Sequence, residues 1–80
     1  MKVPSIKKAV ESYSIEELKA AEDAILNESS PVIDIEGDDE GEQLTHILAA
    51  IWIKEEMAEK GIEFRDGLRA YSQRVRKSIS

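Results

Sequence analysis

The stretch EGEQLTHILAAIWIKEEMAEKG, Glu40 to Gly61, decides the fold. Leu44, Ile47, Leu48 and Ile51 recur at helical spacing, and Ala49, Ala50, Trp52, Ile53 and Met57 widen the stripe. From Ile47 to Ile53 no residue is polar. A helix that is apolar around its whole circumference is one that is buried. Gly61 follows Lys60, where a left-handed terminator belongs. The pattern predicts a long central helix over residues 40–60. Three short neighbours in an 80-residue chain can hardly cover it, which points to a second copy.

Beyond Gly61, residues Phe64, Leu68, Tyr71, Val75 and Ile79 share one face of a last helix. Its other faces carry Arg65, Arg69, Arg74, Arg76 and Lys77. Gly67 inside it costs about 1 kcal/mol relative to alanine. That predicts either a close helix–helix approach or a helix start near Asp66.

Upstream, PVIDIEG (residues 31–37) is the only strand-like stretch, from Val32 to Glu36. A single strand cannot satisfy its own backbone groups. It must pair with the same segment of a second copy or lie over the helices as an extended linker. Before it, Ser14 and Glu17 have the spacing of a capping box. Ile15, Leu18, Ala21 and Ile25, with Leu26 beside them, form the stripe of a second helix. NESSP, residues 27–31, is read as its close, since the residue before Pro31 resists the helical region. Val3, Ile6, Val10 and Tyr13 form the stripe of a first helix, with Pro4 and Ser5 suited to its start. The expectation is one all-α domain over residues 1–80. It has four helices, a long buried central helix and one short extended segment, and it forms a homodimer.

Composition narrows the chemistry. With no cysteine, disulfides, thiolate zinc, iron–sulfur clusters and thiol catalysis are excluded. One histidine excludes a closed nitrogen-rich metal site within one chain. A core of this size supplies about 3–5 kcal/mol net, and small proteins usually add a staple. Self-association is the staple left. No apolar run approaches membrane-spanning length and no signal-like segment follows Met1, so a cytoplasmic protein without a membrane partner is expected.

The net charge of −6 conceals a segregation. Residues 1–10 carry Lys2, Lys7 and Lys8 and no acid. Residues 11–63 carry sixteen acids against Lys19, Lys54 and Lys60, and residues 64–80 carry five basic residues against Asp66. Basic ends around an acidic centre favour termini that lie against the middle, in one chain or between two.

The acids concentrate at Glu36, Asp38, Asp39, Glu40 and Glu42, five carboxylates in seven positions. An EF-hand loop starting at Glu36 places Ile47 where the bidentate glutamate is required, and one starting at Asp34 places Asp39 where glycine is required. Neither register is a calcium loop. The same acids suit a helix start, with Asp38 or Asp39 as N-cap and the others against the macrodipole. They exceed what capping needs, so a basic partner, or the basic helix of a second copy, is expected at Glu36, Asp38, Asp39, Glu40, Glu42 and His46. Glu42 and His46 stand one turn apart and are expected to pair, giving mild pH sensitivity. No nucleophile elbow, relay of histidines or phosphate-cradling loop is present. No cofactor is expected. The central helix, the Gly61 turn and the basic last helix imitate a helix-turn-helix, so Arg65, Arg69, Arg74, Arg76 and Lys77 form an alternative nucleic-acid surface. The acidic overall charge opposes that alternative.

The segments VESYSIEELKAAE, EGDDEGEQLTHILAAIWI and YSQRVRKSI resemble a family of acidic bacterial proteins of unknown function, about 80 residues long. The resemblance implies a complete small protein and assigns it no activity. The reading is a non-enzymatic accessory or regulatory protein that acts through protein–protein contacts.

Overall fold

Side-chain caps fix the starts of the second and third helices, and a left-handed glycine ends the third. In the computed structural model, which describes residues 2–79 with side chains through Lys77, the helices are α1 (Val3–Ser12), α2 (Ile15–Leu26), α3 (Glu40–Lys60) and α4 (Phe64–Ile79). Pro4 sits in the first turn of α1, where its missing N–H costs nothing. Ser14 Oγ accepts from the Glu17 amide at 3.1 Å, and the Glu17 carboxylate accepts from the Ser14 amide at 2.9 Å, so the capping box is complete.

NESSP closes α2 as expected, with Asn27 as C-cap, but the turn is made by Glu28, in the left-handed region at φ 59, and not by Pro31. There the Ser29 amide donates to Ala24 O and the Glu28 amide to Ile25 O, the bond pair of a Schellman turn made without glycine. Asp39, rather than Asp38, caps α3, accepting from the Glu42 amide at 2.8 Å. Gly61 ends α3 at φ 63.

α3 is the axis of the domain, and each of the other helices packs on it. α1 runs parallel to it: the Lys2 amide reaches His46, and Lys54 Nζ donates to Val10 O at 3.0 Å eight residues further along both helices. α4 returns antiparallel. A Cβ at Gly67 would lie 2.9 Å from Ile53 Cγ2 and 3.5 Å from Met57 Cγ, so glycine permits the close helix approach and the helix starts at Phe64.

The core joins Ile6, Val10, Leu18, Ile25, Ile47 and Ile53, all under one-tenth exposed. Its closure is uneven. α3 is covered on three sides, yet Leu48, inside its wholly apolar stretch, is 43% exposed. Among the side chains of α4 that are described, none is buried, and Phe64, Leu68, Tyr71 and Val75 are all half-covered. Ile79, the last position of the expected stripe, lies outside the described side chains.

Residues 32–36 form no strand and lie over the helices as an extended linker. Tyr13 Oη donates to Asp34 O at 3.0 Å, Gln43 Nε2 donates to Ile35 O at 3.2 Å, and Ile35 is buried while Val32 is fully exposed. No helix among the described residues is long and apolar enough to cross a membrane.

Candidate functional site

At the N-terminal end the fold builds a polar latch around His46. The ring lies in the second turn of α3, with no solvent exposure. Its Nδ1 donates to Glu36 O at 2.7 Å, and its Nε2 accepts from the Lys2 amide at 3.0 Å. With both nitrogens so partnered the ring is neutral, and its partners place the proton on Nδ1. One side chain thus fastens the start of the chain and the end of the linker to α3.

Around the ring, Glu36 is held from two sides. Ser5 Oγ donates to Oε1 at 2.9 Å and Lys8 Nζ donates to Oε2 at 2.9 Å. Lys2 Nζ stands 3.8 Å from Asp38 Oδ2. The Lys8 hydrogen bond, then that of Ser5, holds the Glu36 carboxyl below its ordinary range, and the hydrogen bond to Glu36 raises Lys8. These groups are solvated, so the pair contributes to positioning more than to stability.

The expected Glu42–His46 pair does not form. Glu42 is occupied at the helix start, where its carboxylate accepts from the Asp38 amide at 3.3 Å and its amide donates to Asp39. Free amides at a helix N-terminus compete well for a nearby carboxylate, while His46 turns to the buried side. A sequence signal for that burial exists: His46, Ala50 and Ile53 share one face at spacings of four and three, and Ala50 and Ile53 are core residues. What the residues could not reveal is that both partners are backbone groups of distant segments.

Of the remaining acids, Asp38, Asp39 and Glu40 are exposed, Asp39 as a cap. Because the carboxylates are drawn to different partners, no three metal-ligating side chains converge among the described residues.

The C-terminal cations behave differently. Arg65, Arg69 and Arg76 are exposed and, with Ser72, occupy one flank of α4 at spacings of four, three and four. None of the three arginines makes an ion pair among the described residues. Arg74, on another flank, lies over the Trp52 ring, 5.8 Å from its centroid, and Trp52 meets Tyr71 at 5.7 Å and 53°. Lys77 is exposed. The start of α4, the part a recognition helix would present to base edges, carries Glu63 and Asp66.

An open groove of about 480 Å³ separates the α1–α2 junction from the end of α3. Val10, Ile15, Met57 and Ile62 line it, and Lys54 at its rim is committed to the Val10 carbonyl. The groove suits apolar contact.

No curated protein and no solved structure matches the chain. Over its full length, residues 1–80, the chain belongs to a family of unknown function, DUF6952.

Proposed function

We propose that the protein is a non-enzymatic accessory protein whose output is a protein–protein contact, made through the arginine flank of α4 with an acidic partner. The observation that carries this reading is the row Arg65, Arg69 and Arg76, exposed and without ion partners among the described residues. Arginine is the cation best suited to planar recognition of carboxylates, and it is enriched where interfaces concentrate binding energy. Beside the row, half-exposed Leu68 and Val75 supply apolar area that a partner would cover.

The acidic linker serves this reading less well than α4 does. Glu36 and Asp38 already face Lys8 and Lys2, and Asp39 and Glu42 cap α3. A nucleic-acid partner fits α4 poorly, because Glu63 and Asp66 would meet phosphates at its start.

The test is affinity capture from a native extract on immobilised protein, with and without nuclease, against an Arg65→Glu/Arg69→Glu/Arg76→Glu variant. A discrete protein held by the wild type, resistant to nuclease and lost with the variant, is expected. Capture that depends on nucleic acid would replace the reading with the alternative one.

A further inference from the structure

The arginine flank of α4 carries a repeat that specifies the form of its partner. Arg65, Leu68 and Arg69 recur seven residues on as Ser72, Val75 and Arg76. Seven residues make about two helical turns, so the two sets lie in line along one side of α4. The three arginines are exposed, and Leu68, Ser72 and Val75 are partly so. Tyr71 and Gly67 face Trp52 and Ile53 of α3. At about 100° per residue, Leu68 and Val75 then fall between that packed side and the arginines. The flank is an apolar seam with a cationic border, about 16 Å long from Arg65 to Arg76 at 1.5 Å per residue.

The border selects an acidic occupant. A second copy cannot lay its own α4 flank there, because arginine would meet arginine. Exposed ion pairs contribute little by themselves, so the occupant must also cover Leu68 and Val75. The seam selects the occupant's conformation. The N–H and C=O groups along α4 are used within the helix, so its side offers an extended chain no backbone partners. Arginine only donates, and would leave the N–H groups of a strand pressed on Leu68 and Val75 unanswered. A helix satisfies its own backbone. Two helices also share one rise per residue, so apolar side chains seven apart on each can meet throughout the contact. In a strand, side chains on one face repeat every 6.6 Å or so, out of step with the roughly 10.5 Å between Leu68 and Val75.

Granting the protein contact proposed above, on which this rests, we propose that the partner presents an acidic amphipathic helix. Its apolar side chains, seven residues apart, lie on Leu68 and Val75, and its carboxylates face Arg65, Arg69 and Arg76. Ser72, small and polar, is the gap in the seam. Electrostatic attraction brings the two helices together, and the seam fixes their alignment.

The experiment is a fluorescence anisotropy titration of labelled synthetic peptides, about 20 residues or roughly 30 Å long as helices, with the full chain. The first peptide carries leucines at alternating spacings of three and four with glutamates on either side. The second has the same composition in an order that scatters the leucines around the helix. The third is the first with a central proline, which breaks the helix. The first is expected to bind at least about tenfold tighter than the others, the factor that covering roughly 60 Å² of apolar surface supplies. It is also expected to gain helicity on binding and to weaken with added salt. Binding is expected to be lost in Arg65→Glu/Arg69→Glu/Arg76→Glu, whose positions are exposed and whose fold circular dichroism verifies. Ser72→Leu fills the gap and is expected to tighten the first peptide by about threefold or more while leaving the second unchanged. Equal binding of the first two peptides, lost in the triple variant, overturns the helical partner and leaves an acidic protein partner standing. Failure of every peptide to bind overturns the helical partner as well. Binding of the first peptide that survives the triple variant overturns both readings. Vesicles of phosphatidylglycerol form a parallel arm: tighter arginine-dependent binding to them would make an anionic lipid surface the occupant instead. Self-association of the wild type that the triple variant abolishes would likewise replace the helix with a second copy.

Discussion

Lys2 and Lys8 at one end of the chain carry the same charge as Arg65, Arg69 and Arg76 at the other, yet the fold uses them oppositely. The N-terminal lysines reach Asp38 and Glu36 and close over the buried His46. The three arginines find no carboxylate among the described residues. Topology makes the difference. Parallel α1 passes under the returning linker and meets its acids, whereas α4 packs mainly on α3 and turns its arginine flank outward. Lys2 and Lys8 at the N-terminal end are therefore engaged within the fold, and the three arginines of the C-terminal end make no ion pair among the described residues.

The strongest way to break this contrast is at the latch. His46→Ala strips the Lys2 amide and the Glu36 carbonyl of their partners and opens a cavity, which should cost about 2–4 kcal/mol. Urea unfolding checks the magnitude, and hydrogen exchange should show the Ser5 and Ile6 amides losing protection. Loss of protection in α4 alone would refute the latch.

A smaller effect separates α4 from the rest. In Gly67→Ala, overlap with Ile53 costs about 1–3 kcal/mol and helix propensity returns about 1 kcal/mol. A net loss of about 1 kcal/mol is expected from that balance. Trp52 fluorescence should report it, because Trp52 contacts Tyr71 and Arg74 of α4.

The solvated Lys8–Glu36 pair sharpens the comparison through pH. The folded Glu36 value is depressed, so its contribution is present above the unfolded carboxyl value and lost as pH falls through the folded one. The folded Lys8 value is raised, so its contribution is present below the unfolded lysine value and lost as pH rises through the folded one. The pair therefore acts across neutral pH and fades at both extremes. The stability difference between wild type and Glu36→Gln, followed from acid to alkali, should be widest in that middle window. A difference independent of pH would remove the pair from the account.

The smallest effect is expected at the open end. Arg65→Gln, Arg69→Gln and Arg76→Gln should each change stability by less than about 0.5 kcal/mol, as surface positions without partners do. A larger loss in thermal unfolding would show that the arginines are structural.

How much of this was legible in the sequence depended on how local the cause was. Ser14 and Glu17 decide their capping box within four residues, and Gly61 ends α3 by its own backbone freedom. Gly67 correctly signalled a close approach. The end of α2 falls at NESSP as expected, but Glu28, in a left-handed conformation that its side chain does not announce, makes the turn rather than Pro31. The internal partners of the acidic cluster were hidden because they are distant in sequence. Its partners Lys2, Ser5 and Lys8 come from about 30 residues or more upstream, and only the path of the linker over α1 brings them together. His46 was expected to pair with Glu42, its neighbour in sequence, while its actual partners are main-chain atoms at residues 2 and 36.

The contrast between the two ends is tested most directly by photo-crosslinking in the native cell. One arm uses Ser72→p-benzoylphenylalanine, on the arginine flank of α4, and the other uses Glu40→p-benzoylphenylalanine, at the exposed start of α3. The account predicts an adduct with another protein from position 72 and none from position 40. An adduct from position 40 alone, or a nucleic-acid adduct at position 72, would contradict it.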